Sequence, residues 1–162
     1  MSKVPEKIQY RYEQKFVFQQ KSPAFVEGIV ETHPADFYEI FKQRKVNNIY
    51  FDTAELSYYS DHKENKVNIQ KVRIRWYGDT FGQVLHPILE FKIRDGELRI
   101  KKSYALPKFN IEKGFQSKQL NEVFENANLP DSVYNEVQDL EARLLNTYKR
   151  IWIWIRTISG FI

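Results

Sequence analysis

Between Lys71 and Tyr77 the chain alternates polar and apolar residues without a break, and that alternation constrains the fold more than any other stretch. Side chains of a β-strand point alternately to opposite faces, so residues two apart project the same way, roughly 6.7 Å from one another. Sorted in this way, Val72, Ile74 and Trp76 share one face, and Lys71, Arg73, Arg75 and Tyr77 share the other. Further along, Leu89, Phe91 and Ile93 oppose Glu90, Lys92 and Arg94, and Leu98 and Ile100 oppose Arg99 and Lys101. Near the start, Tyr10, Tyr12, Phe16 and Phe18 oppose Arg11, Glu13 and Lys15. A solvent-facing sheet surface ordinarily mixes Thr, Ser, Glu and Lys, because like charges directly opposite across strands repel. Here Arg and Lys recur strand after strand, which points to a bound polyanion. The planar fork of arginine takes two phosphate oxygens at once and lysine adds a point charge, so the pattern suits a chain of phosphates better than a single carboxylate. Glu13 and Glu90, the carboxylates on this face, have two open roles. They either hold a divalent metal that bridges phosphate oxygens, or orient Arg11, Lys15 and Lys92 by ion pairing.

Around these strands the remaining patterns predict an α+β domain. A first strand is expected over about 9–19 and a helix over 34–45, where Phe37, Ile40 and Phe41 fall at helical spacing after a candidate cap at Thr32. Strands follow at 46–52, 69–77, 88–94 and 97–105, the last two joined by the tight-turn signal Asp95-Gly96. A short polar helix or turn carries Leu56, Tyr58 and Tyr59. Helices are expected at 117–127 and 131–144, divided by Leu129-Pro130, and an apolar run covers 144–162. With 162 residues, 42% of them hydrophobic, and no internal repeat, one domain with a sizeable core is the simplest organisation.

Composition removes several chemistries. The chain has no cysteine, hence no disulfide and no thiol nucleophile, and its three histidines, His33, His62 and His86, are too scattered for a zinc site. Any metal rests on carboxylates, which favours Mn²⁺ or Mg²⁺. There is no Gly-rich phosphate loop, dinucleotide fingerprint or nucleophile elbow. No apolar run approaches the ~20 residues of a membrane span, and residues 1–14 lack the apolar stretch of a secretory signal, so a cytoplasmic location is expected. The net charge of +4 mildly favours anionic partners.

Four segments in order, Arg11-Tyr12-Glu13-Gln14-Lys15-Phe16, Asn48-Ile49-Tyr50-Phe51-Asp52-Thr53, Val72-Arg73-Ile74-Arg75-Trp76-Tyr77-Gly78 and Leu89-Glu90-Phe91-Lys92, resemble the VTC domain. This is the polyphosphate polymerase branch of the CYTH-like triphosphate tunnel metalloenzymes. The resemblance implies an antiparallel sheet curling into a partial tunnel barrel with flanking helices. Its basic lumen would bind ATP, triphosphate or polyphosphate and, aided by Mn²⁺ or Mg²⁺, transfer the terminal phosphate of ATP to a growing chain. It implies Lys15, Arg73, Arg75, Lys92 and Lys101 or Lys102 as phosphate ligands, with Arg73, Arg75 and Lys92 expected as the catalytic contacts, while the sorting of strand faces adds Arg11, Arg94 and Arg99 as substrate-binding cations. Glu13 and Glu90 would be metal ligands. Tyr148-Lys149-Arg150 resembles the Y-x-R element that opens the family's second set of strands, which adds Arg150. At the first strand, relatives carry E-x-E-x-K where this chain begins with Arg11.

Residues 1–150 are thus expected to form the N-terminal part of a tunnel and 151–162 an atypical apolar tail, with Ile on one strand face and Trp on the other. The tail is expected to be the truncated or out-of-frame end of a longer gene. A strand buried on both faces, a homodimer contact or an interfacial membrane anchor are its alternatives. Two rival functions remain, a tunnel triphosphatase and a non-enzymatic module for inositol phosphate or nucleic acid. A specific nucleic-acid site is disfavoured because the strand aromatics oppose the cations, whereas a stacking platform needs both on one face.

Overall fold

Asp95-Gly96 is the sharpest turn signal in the sequence, and in the computed structural model, which describes residue 14 and residues 16–155, it joins two strands of a five-stranded sheet. Gly96 takes φ +60° there, a left-handed value open to glycine. The elements in chain order are α1 (Pro23–Glu31), β1 (Phe37–Asp52), α2 (Ser57–Lys63), β2 (Asn68–Tyr77), β3 (Gly82–Val84), β4 (Ile88–Asp95) and β5 (Leu98–Ala105). They continue with β6 (Phe109–Ile111), α3 (Lys118–Glu125), α4 (Asp131–Gln138) and β7 (Glu141–Ile155). The large sheet has the order β5-β4-β2-β1-β7, with β1–β2, β2–β4 and β4–β5 antiparallel, while β3 and β6 pair separately. The fold is α+β, and the described sheet is open rather than a closed barrel. No helix among the described residues is long and apolar enough to cross a membrane.

The helix expected over 34–45 is absent: 34–36 lie in the turn that precedes β1, and 37–45 are the first part of that strand. The spacing of Phe37, Ile40 and Phe41 serves either structure. Tyr38, Ile40, Val46, Ile49, Tyr50 and Phe51, aromatic or β-branched, suit a pleated, paired strand. The helix lies earlier, in α1, and Ser22-Pro23 opens it. The Ser22 hydroxyl accepts the Phe25 N–H at 3.2 Å, and Pro23 occupies the first helical turn, where its missing N–H costs nothing. Thr32, expected as an N-cap, closes this helix instead, its hydroxyl donating to the Gly28 carbonyl at 2.8 Å. The second helix of the C-terminal pair also stops short of residue 144, because Glu141 already begins β7. The strand expected over 9–19 lies largely outside the described residues, and residues 16–19 have no regular structure.

The described residues group into two units, 14–40 with 153–155, and 41–152. In the second unit the apolar faces of the strands, with Ile49, Phe51, Val72, Ile74, Trp76, Leu89 and Phe91, share a core with Leu120, Val123 and Phe124 of α3 and Val133 and Val137 of α4. Phe51 and Phe124 meet at 5.7 Å between ring centroids, and the Trp76 indole N–H donates to the Asp79 carbonyl at 2.9 Å. Burial of this kind contributes about 1.5–3 kcal/mol per large side chain. It also separates the two faces of the sheet, because two helices cover one side and leave the other to the cations.

Candidate polyanion-binding site

Strand register turns the sequence alternation into a map. Lys71 lies directly opposite Lys92, and Lys92 directly opposite Lys101, so three lysines form one row across β2, β4 and β5. The next row sets Tyr50, Arg73, Glu90 and Ser103 side by side, and the one after it Asn48, Arg75, Ile88 and Ala105. Directly opposed side chains stand about 4.5–5.5 Å apart at Cβ, a separation at which like charges destabilise a sheet. Fold stability alone does not account for such a row.

Glu90 organises the middle. It is 3% exposed, and one of its oxygens meets Arg73 Nη2 at 2.6 Å and Nε at 2.8 Å, with Arg75 Nη1 at 3.9 Å. The other oxygen meets Lys101 Nζ at 2.7 Å. Burial alone would raise its pKa, but the hydrogen bonds from Lys101 and Arg73 and the charges of Arg73 and Arg75 outweigh it and hold the carboxyl below its ordinary value. Arg73 also donates from Nη1 to the Tyr50 hydroxyl at 3.1 Å, and Arg75 to Asn48 Oδ1 at 3.0 Å and to the Tyr148 hydroxyl at 3.3 Å. Both guanidinium groups are thereby fixed before any ligand arrives. Lys92 differs: its ammonium makes no hydrogen bond or ion pair with another described residue. Partial burial, followed by the charge of Arg73, lowers its pKa, with Arg75 and Lys101 adding to the effect and Glu90 opposing it.

The remaining candidates divide. Arg150 lies at 5.6 Å from the Tyr148 ring and 5.0 Å from Trp152, next to the tyrosine that accepts from Arg75. Arg94 and Arg99 are opposed beyond the lysine row, where Arg94 is tied to Asn65 Oδ1 at 3.1 Å and the Lys66 carbonyl at 2.6 Å. Lys102 pairs with Phe91 and so projects to the other side of β5, away from the cluster. Arg11, Glu13 and Lys15 lie outside the described residues. Trp152, in the expected tail, is 44% exposed, so this part of the tail is not a strand buried on both faces. Asp52 is tied to α2 instead, its carboxylate accepting the N–H groups of Tyr58 and Tyr59 at 2.9 Å each in the first turn of that helix.

Sequence reasoning placed Lys71 on the basic face without assigning it to the site, and it missed Tyr50, Asn48 and Tyr148 as arginine anchors. Alternation alone cannot say which residues of neighbouring strands stand opposite one another.

A family model for the VTC domain matches residues 10–156. The chain belongs to the VTC domain family. No curated protein sequence matches it. Membership gives this VTC domain a polyphosphate-related role in general terms, in a family that is generally metal-dependent. Among the described residues, however, no group of three or more His, Asp and Glu side chains converges. The Glu90 oxygens face three cations, so the described part of the VTC domain does not by itself fit a divalent metal.

Proposed function

We propose that the basic face binds triphosphate or polyphosphate, and that it serves transfer of the terminal phosphate of ATP to a polyphosphate chain. The observation that carries the reading is the row Lys71, Lys92 and Lys101, with fixed Arg73 and Arg75 beside it. Such repulsion is tolerable in a fold when a bound polyanion relieves it.

In this reading the sheet is one wall of a phosphate tunnel. Arg73 and Arg75 grip phosphate oxygens through the guanidinium hydrogens left free by Glu90, Tyr50 and Asn48. Lys92 and Lys101 supply charge where phosphate oxygens gather it in the transition state. A terminal oxygen of the growing chain attacks the γ-phosphorus of ATP, the bond to the β-phosphate oxygen breaks, and ADP leaves with that charge. Arg150 extends the basic track beside Tyr148. Glu90 serves as the counter-ion that aims Arg73 and Lys101, not as a metal ligand, so binding of the phosphates does not require a metal at this residue.

Incubating the chain with ATP and Mn²⁺ and assaying polyphosphate separates the alternatives. Polyphosphate formation supports transfer, and release of inorganic phosphate alone supports a triphosphatase. Competition between triphosphate and an oligonucleotide tests the remaining rival: triphosphate displaces the oligonucleotide if the face is built for phosphates, and the reverse result contradicts the reading.

A further inference from the structure

At one end of the basic face the structure holds a cavity of about 390 Å³ between β1, the start of β2, α2 and β7. Its wall is largely apolar and aromatic, with Tyr50, Phe51, Leu56, Tyr58, Tyr59 and Leu144. Polar groups are few: Lys71, His62 and Arg143 reach it, beside Asp52 and Gln70, which are engaged with α2 and Glu136. A concave, mainly apolar site with a few placed polar groups is the usual form of a small-molecule pocket.

The cavity is continuous with the cations. Tyr50 lines it, and its hydroxyl accepts the Arg73 guanidinium at 3.1 Å. Lys71 lines it as well and opens the lysine row with Lys92 and Lys101. From Lys71 the same strand face leads on to Arg73 and then Arg75 in steps of roughly 6.7 Å.

We propose that this cavity receives the aromatic base of a nucleotide whose phosphates run along Lys71, Arg73 and Arg75. The inference rests on the function proposed above, but it adds a recognition element that inorganic polyphosphate does not use. The base stacks against the Tyr59 ring, which is 60% exposed and therefore available, while Leu56 and Leu144 take its edges. The Asp52 carboxylate, accepting the main-chain N–H groups of Tyr58 and Tyr59, holds α2 and with it these tyrosines at the end of β1. His62 is held below its ordinary pKa, first by the Lys71 charge, then by burial and Arg94. At neutral pH its uncharged imidazole offers both a donor and an acceptor to a base edge.

Calorimetric titration of ATP and of inorganic triphosphate into the parent chain and Tyr59→Ala tests the proposal, with Leu144→Ala as a second variant. Stacking contacts of this kind predict a loss of about tenfold in ATP affinity for Tyr59→Ala. Triphosphate affinity is expected to stay within about twofold, which also shows that the variant is folded. Unchanged ATP affinity in both variants, with triphosphate binding intact, overturns the base site and leaves the phosphate face standing. Failure of the parent chain to bind triphosphate overturns the function of the face, and the base site with it.

Discussion

Replacing Glu90 by Gln removes the charge that Arg73, Arg75 and Lys101 share and leaves a buried guanidinium partly uncompensated, which costs about 3 kcal/mol or more. The same carboxylate sets a pH dependence. Its folded pKa lies below the ordinary 4.5, so the stabilisation is complete above that value and is lost as pH falls through the depressed folded value. Urea midpoints of the parent chain are therefore expected to drop below about pH 4.5 more steeply than those of Glu90→Gln. Parallel curves would mean that Glu90 is not the charged centre of the cluster. At Lys92 the slope has the same sign, but there the charge is a cost to the fold rather than a gain. Its lowered pKa means that the charged form is disfavoured in the folded chain, and that stability from this group rises as pH climbs through its folded pKa toward 10.5. Lys92→Gln is expected to raise the melting temperature of the free protein while weakening triphosphate binding about tenfold, a trade between stability and function. A variant that melts lower and binds equally well would contradict that role.

The strands β2, β4 and β5 were legible in the sequence to within a residue or two. The first two alternate cleanly, β5 does so as far as Lys101, and the Asp95-Gly96 turn fixes one hairpin. The long β1 was not, because Phe37, Ile40 and Phe41 satisfy helical spacing equally well and because pairing with distant strands, invisible locally, decides the outcome. The short antiparallel pair of β3 and β6 has three residues per strand, too few to show a period. Helix α2 has little apolar periodicity of its own and depends on Asp52 reaching forward to its first turn. Asp52→Ala should therefore cost about 1–2 kcal/mol in urea unfolding, in the range of a lost N-terminal cap. If Tyr59 contacts a base, this variant should also lose ATP affinity in greater proportion than triphosphate affinity. An unchanged unfolding midpoint would show that α2 stands without the cap.

Across the whole molecule, the basic face could be read from Arg73, Arg75, Lys92 and Lys101 before any strand was paired. The rows that make it a site come from register, and register depends on how strands meet. The cavity beside Lys71 was beyond sequence reasoning for the same reason, since β1, β2, α2 and β7 build it from residues 50 to 144. Chelation provides a test at this scale. With Glu90 committed to Arg73, Arg75 and Lys101, triphosphate binding is expected to survive excess EDTA and to weaken as salt rises from 50 to 500 mM, by roughly tenfold or more for a contact dominated by charge. Binding that vanishes on chelation would return Glu90 to the role of metal ligand. The most direct measurement is the melting temperature of the parent chain and of Lys92→Gln/Lys101→Gln across a titration with inorganic triphosphate in EDTA. The phosphate-face account predicts a saturable rise for the parent chain and little or none for the double variant; identical melting of the parent chain with and without triphosphate would contradict it.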